Sequence, residues 1–299
     1  MSREDLIKYI EEAKSRGVRV LGMVRSWDNV TNKGLNRIVP DALIAHIEQV
    51  KKEAIELDDV PASRIHVVGI PHYDRYLTEN RVPREAFFKE LNLDPNKKTI
   101  LFAPPSKLFI QDEPMAEVIV EALKPILREH NAQIILRLYL FGNSNLGNLK
   151  PVPGQLAIDS PSRGTTFDNA DLAKEDAHLA DSLYHSDLIV SYVSTLGIDG
   201  ALFGKPSVCI GFNTEPKPSY IDSMRWYYKL DHALPMFNTG GVRLAKSLGE
   251  LLGHVTQYLQ NPKLDMEGRK KLIQHYCGSS LDAKSGERLG NIILSYLNA

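Results

Sequence analysis

The chain has 299 residues with 36 Lys+Arg against 37 Asp+Glu, a net charge of -1 that builds in no general attraction to nucleic acid or to an anionic membrane. Hydrophobic residues at 43% and charged residues at 24% exclude extensive disorder, and the length admits one large core or two ordinary ones, of which two are expected. Cys209 and Cys277 lie far apart without metal-ligand spacing, no run reaches the roughly 20 apolar residues of a membrane span, and the start of the chain is charged and amphipathic, so a soluble, cytoplasmic protein is expected, with peripheral contact at the inner membrane face left open.

Residues 2–15 place Leu6, Ile7, Ile10 and Ala13 at a helical period, and residues 18–24 read as a buried strand. The turn that follows, RSWDNVTNKG, gathers polar and aromatic groups at a strand's carboxyl end, where sites are often built. Ser26, Trp27, Asp28 and Lys33 are its candidates. The plainer reading has Ser26, Asp28 and Asn29 bonding the local backbone and Trp27 plugging the core. Pro40-Asp41 predicts a helix over 42–57, with Asp41 as its cap. A strand over 65–68 ends at Gly69-Ile70-Pro71-His72, and the charged, proline-punctuated stretch 75–98 holds the expected domain boundary.

A strand over 99–103 runs into Ala103-Pro104-Pro105-Ser106, followed by a helix over 117–129 and a strand over 132–139 interrupted by Arg137. Residues 140–166, rich in Gly, Pro, Asn and Ser, predict a long surface excursion. A helix over 171–184 carrying His178 and a strand over 187–190 lead to SYVSTLGIDGALFGKPSV, a strand, turn, helix, strand unit. Helices are expected over 244–259, 265–276 and 287–297. The alternation of strand and helix predicts an α/β fold with a doubly wound parallel sheet, whose turns at the strands' carboxyl ends suit a phosphate-bearing ligand. There is no Walker A or G-x-G-x-x-G match and no metal-ligand cluster, so neither a metal nor a cofactor is expected.

Five blocks in one order, SWDNVTNKG, PDALIAHIEQVKKEAIEL, IHVVGIPHYDRY, the Arg137 strand and DLIVSYVSTLGIDGALFGKPSV, resemble nucleotide-sugar-dependent transferases of the GT-B architecture. They are most similar to the CDP-glycerol glycerophosphotransferase-like, surface-carbohydrate group, and more loosely similar to UDP-N-acetylglucosamine 2-epimerases. The resemblance implies two Rossmann-like domains facing across a cleft, acceptor on the first and nucleotide donor on the second. The expected organisation is a partial acceptor-side domain over 1–76, a linker over 77–98, a donor domain over 99–264 and terminal helices over 265–299, the last crossing back. Family members carry several first-domain strands before the one at 18–24, so a missing N-terminal region, a completing partner chain or a reduced form of the family's scaffold is expected.

The same resemblance implies that Asp199 accepts hydrogen bonds from a ribose diol and that Arg137 faces the donor's phosphates. Their plainer readings are a solvated helix acid and a strand-end arginine paired to a carboxylate. Ser194 and Thr195 are donor-binding candidates or simple helix caps, Gly197 would admit close approach, and Ser106 and His178 are weaker donor contacts. Asp28 is the candidate general base, with Ser26, Trp27, Lys33 and His72 as acceptor or cleft residues. The implied function is transfer of a glycosyl or glycerol-phosphate group from a UDP- or CDP-linked donor to a glycan or lipid-linked acceptor in surface-polymer synthesis. An epimerase-like enzyme and a non-catalytic nucleotide-binding half are the alternatives.

Overall fold

The computed structural model describes residues 3–32, 38–105, 114–139, 144–161, 169–216, 219 and 223–297. The chain divides into two compact units, Met1–Glu79 with Ile273–Ala299, and Asn80–Leu272.

The first unit opens with helix α1 (Arg3–Ser15) and builds a three-stranded parallel sheet from β1 (Leu21–Met23), β2 (Ala42–Ala45) and β3 (Ile65–Val67), ordered β1-β2-β3. A short α2 (Asn29–Asn32) follows β1, and α3 (Glu48–Asp58) follows β2. The helix expected over 42–57 is therefore a strand for its first four residues. Ala42, Leu43, Ile44 and Ala45 are all buried in the central strand, which makes them a continuous apolar run rather than a helical stripe. Asp41 caps nothing there: its carboxylate accepts the Val20 N–H at 2.8 Å and pairs with Lys14 at 3.4 Å, fixing where β2 enters the sheet. After β3 the chain turns at Gly69, in the left-handed region at φ 92°, into α4 (Pro71–Thr78), whose Pro71 suits a first helical turn.

The second unit begins with α5 (Arg84–Glu90), so part of the stretch expected as a linker is built structure. Its sheet comprises β4 (Lys98–Phe102), β5 (Ala132–Arg137), β6 (Leu156–Asp159), β7 (Leu188–Ser191), β8 (Ser207–Ile210) and β9 (Arg243–Ala245). All are parallel, in the order β6-β5-β4-β7-β8-β9. Numbered within the unit this is 3-2-1-4-5-6, the order of dinucleotide-binding Rossmann-like sheets. The helices are α6 (Met115–Glu129), α7 (Asn169–His185), α8 (Leu196–Leu202), α9 (Leu234–Asn238) and α10 (Leu248–Gln260), with α11 (Met266–Cys277) running across the second division and α12 (Ser285–Leu297) in the first unit. There Arg288 donates to the Val68 carbonyl at 2.7 Å and the Gly286 N–H to the Asp74 carboxylate at 2.7 Å.

Two further expectations need correction. The excursion expected over 140–166 contains β6, whose Leu156, Ala157 and Asp159 are buried against β5. The helix expected over 244–259 starts only at Leu248, because Arg243–Ala245 pair with β8. Ser247 marks the true start, its Oγ accepting the Glu250 N–H at 3.2 Å. One core unites the sheet with α6 and α10: Ile100, Phe102, Ile134, Val190, Leu123 and Tyr258 are at most 1% exposed.

Arg84 ties α5 to this sheet. Its guanidinium donates to the carbonyls of Pro95 (2.7 Å), His185 (2.7 Å) and Lys97 (3.0 Å) and lies 4.5 Å from the centre of the Phe88 ring. Loss of a charged donor that satisfies three carbonyls predicts that Arg84→Ala destabilises the fold by about 2 kcal/mol, and that Arg84→Lys, lacking the fork, recovers only part of it; denaturant unfolding followed by circular dichroism measures both.

Candidate functional site

In the second unit, β4 and β7 lie side by side while the chain leaves them toward opposite halves of the sheet. Such a switch point opens a crevice at the strands' carboxyl ends. A cavity of about 370 Å³ sits there, lined by Ala103 and Pro104 after β4, Arg137 and Leu138 at the end of β5, Ser191 to Leu196 after β7, Asp199, Glu175 of α7, and Tyr227.

Of the expected donor contacts, Arg137, Ser194, Thr195 and Asp199 line this one cavity. Asp199, 5% exposed, comes from the first turn of α8. Ser194 accepts the Leu196 N–H at 3.1 Å through its hydroxyl. Thr195 has helical backbone angles, φ -55° and ψ -26°, and its side chain makes no capping bond; its carbonyl accepts the Asp199 N–H at 2.8 Å. Only one of the two hydroxyls expected to cap therefore does so. Gly197 also differs from expectation: a side chain there would meet Val242 and Met236, so its bareness serves packing rather than a ligand's approach.

Arg137 is buried and bonded to two carboxylates, Asp159 at 2.8 Å and Glu175 at 2.8 Å. The arginine expected to face phosphates carries, in this arrangement, compensated charge, which is its plainer reading realised with partners on a neighbouring strand and helix. His178 Nε2 lies 3.1 Å from both Asp159 carboxylate oxygens, so this histidine, expected as a donor contact, completes the ion-pair network instead. Burial pushes the Asp159 carboxyl up, but the His178 bond and the Arg137 charge outweigh it and hold the group below its ordinary value. The Asp159 bond raises His178, burial opposing it. Across the cavity, burial pushes the Tyr192 and Tyr227 phenols up, so both remain hydroxyls, their rings edge to face at 6.2 Å.

Apart from Ser106, the remaining candidates belong to the first unit. In the loop after β1, Asn29 Oδ1 accepts the N–H groups of Arg25 (2.9 Å) and Ser26 (2.8 Å), closing the turn on itself, and Asp28 sits within that turn. Trp27 packs edge-on against Tyr276 at 5.2 Å. His72 belongs to α4, where Nε2 bonds the Tyr76 hydroxyl at 3.1 Å. Lys33 and Ser106 lie outside the described residues. Among the described residues no group of three or more His, Cys, Asp or Glu side chains could hold a metal ion, and no helix is long and apolar enough to cross a membrane. Asp159, Glu175, Tyr192 and Tyr227 were not legible as site residues. Glu175 stands three residues before His178, which puts both on one face of α7 and is the one signal that could have been read.

The family of CDP-glycerol:poly(glycerophosphate) glycerophosphotransferases matches residues 40–295. The chain belongs to this family. A search of curated proteins finds no match. Among solved structures, a variant of the wall teichoic acid polymerase TagF superposes with a TM-score of 0.57 at 16% identity, covering 85% of this chain and 57% of that one. The UDP-GlcNAc 2-epimerase from Neisseria meningitidis bound to UDP-GlcNAc gives 0.56 at 13%, covering 86% and 62%, and a Staphylococcus aureus (S. aureus) MnaA-UDP structure gives 0.58 at 12%, covering 96% and 71%. At such identities these likenesses show the fold, and this glycerophosphotransferase-family chain spans little more than half the length of the TagF chain it matches.

The ion-pair network predicts a pH signature. A proton-detected titration should give His178 a pKa above its ordinary 6.5, falling in Asp159→Asn. Because the folded value is raised, the stability His178 contributes is full below about pH 6.5 and is lost as pH rises through the raised value. Asp159, held low, contributes above about pH 4 and loses its share as pH falls through its depressed value. Unfolding free energy measured against pH should lose the upper of these two slopes in His178→Gln.

Proposed function

We propose that this chain transfers glycerol phosphate from a CDP-linked donor to an acceptor hydroxyl of a growing, teichoic-acid-like surface polymer. The observation that carries the reading is the cavity at the sheet's switch point with the Asp199 carboxylate in its wall. A ribose diol presents two donors, and a carboxylate presents two acceptor oxygens to meet them. Family membership supplies the choice of a CDP-linked donor, and the solved TagF structures include one soaked with CDPG.

In the proposed reaction an acceptor oxygen attacks the phosphorus next to glycerol, the bond from that phosphorus to the bridging oxygen breaks, and CMP leaves with the bonding pair. The acceptor's proton passes to a base. Asp28, in a loop at the carboxyl end of β1, is our candidate for it, and Asp28→Asn tests that role. With Arg137 already matched by two carboxylates, the neutral donors around Ser194 and the phenols of Tyr192 and Tyr227 are assigned to the donor's phosphates. No metal or cofactor beyond the donor is invoked, the acceptor is taken to be a glycan or lipid-linked chain, no nucleic acid is involved, and the setting is cytoplasmic. Action together with a partner chain falls within the same reading.

The test is a thermal-shift series with CDP-glycerol, CMP and UDP-N-acetylglucosamine, followed by CMP release. CDP-glycerol at 100 times its Kd should add about 2.7 kcal/mol of stability to the wild type, and Asp199→Ala should abolish that shift without lowering the ligand-free melting temperature by more than a few degrees. A larger shift with UDP-N-acetylglucosamine than with CDP-glycerol would move the assignment to an epimerase-like enzyme. No shift with any nucleotide sinks the donor site.

A further inference from the structure

The cavity at the switch point is poorly balanced for the anionic donor assigned to it. Among its described lining residues Arg137 is the one cation, against the carboxylates of Glu175, Asp176 and Asp199. Arg225 and Lys246 line the unit's other cavity, of about 1060 Å³, at the carboxyl ends of β8 and β9 on the half of the sheet away from β5. Arg137 itself is held by Glu175 and by Asp159, the residue opposite it in register. One guanidinium between two carboxylates leaves a negative charge over, and a doubly negative diphosphate is repelled by it.

A third group touches that pair. His178 Nε2 lies 3.1 Å from both Asp159 carboxylate oxygens, and one of them, Oδ2, is the atom to which Arg137 Nη1 donates at 2.8 Å. An ionised carboxylate only accepts, so Nε2 carries a hydrogen in both protonation states and Nδ1 is the nitrogen that titrates. The imidazole packs between this carboxylate and the Phe87 ring of α5, 5.6 Å away. The charged groups around it are Asp159 on β6, Arg137 on β5, Glu90 on α5, and Glu175 and Asp181 on α7; Asp181 is itself met by Arg81 at 3.7 Å. The Asp159 bond raises the His178 pKa above its ordinary value, against the pull of burial.

We infer that His178 is a positioning residue for the donor: acting through Asp159, its proton cancels the carboxylate excess around Arg137, so the anionic donor is held most tightly when the imidazole is charged. The inference rests on the donor reading above and adds a proton to it. With His178 neutral, Asp159 gives its full charge to Arg137. With His178 charged, two cations divide that carboxylate, and the four groups pass from net negative to neutral. Linkage is reciprocal, so donor binding raises the proton affinity of the histidine by the same factor, and the donor takes up part of a proton as it binds. A histidine that only braced the fold would leave donor affinity level in pH.

The probe is CDP-glycerol, whose diphosphate is esterified at both ends and does not titrate near neutrality, whereas the phosphate of CMP does. Calorimetric titration of the full chain at about pH 6, 7 and 8, each in two buffers of different ionisation enthalpy, reads affinity and proton uptake together. Wild-type affinity should fall about three- to tenfold across that range, with protons taken up on binding. His178→Gln, which keeps an N–H for Asp159 and loses the titration, should bind without uptake, at the lower affinity throughout. A level wild-type affinity, binding without proton uptake, or a pH slope that survives in His178→Gln overturns the inference and leaves the donor reading standing. No CDP-glycerol binding at any pH, or binding indifferent to Asp199→Ala, overturns the donor reading and the inference with it. The wild-type slope and uptake need no variant, so they decide the matter even where His178→Gln fails to fold.

Discussion

A buried guanidinium cannot be left alone, and the pairing of Arg137 with Asp159 at 2.8 Å meets that constraint by recruiting an edge strand to the sheet. β6 has only four residues and pairs along one side with β5. Its last residue, Asp159, holds the arginine from the neighbouring strand, and through Glu175 and His178 the same knot reaches α7. Taking one partner away would leave a charge in a low-dielectric interior, a costlier event than loss of a surface pair. The Arg137 side of the smaller cavity is thus held by ion pairs set at the edge of an apolar core.

That constraint shapes what the cavity offers a ligand. One positive charge meets two carboxylates at equal distances, so Arg137 brings geometry and N–H donors but little net attraction for an anion. Hydroxyls raised above their ordinary ionisation by burial, at Tyr192 and Tyr227, stay protonated at every physiological pH and are preorganised donors. In the proposed reaction such neutral donors suit a step in which charge moves onto a departing phosphate, because they need not be desolvated as free cations would.

The parts legible in the sequence are those whose meaning is local. Ile100 to Phe102, Ile134 to Leu136, Leu188 to Val190 and Val208 to Ile210 read as strands because a parallel sheet covered on both faces makes them continuous apolar runs. Ser194 and Asp199 were readable because they sit between such a strand and a helix of recognisable composition. β2 was hidden because Ala42–Ala45 adjoin a helical stripe without a break, and apolar runs that short do not separate strand from helix. β6 and β9 were hidden by length, four and three residues, and by ending or beginning on a charge. The role of Asp159 could not be read at all, since it exists only once β5 and β6 lie in register and Arg137 stands opposite Asp159.

The order of the strands explains why two cavities can share one unit. The order in which strands are added reverses between β4 and β7, so the crevice there is opened by topology and needs no special residues to exist. At β8 and β9 there is no such switch, and a cavity must be made by what the chain lays over the strand ends. Here that is the segment from Ser223 to Tyr228, held by the Asn213 bond, with Tyr227 turned to one side and Arg225 and Tyr228 to the other. Arg225 and Tyr228 stand three residues apart where the segment enters a 3-10 turn over Tyr227–Lys229, so they share a face that Tyr227 does not.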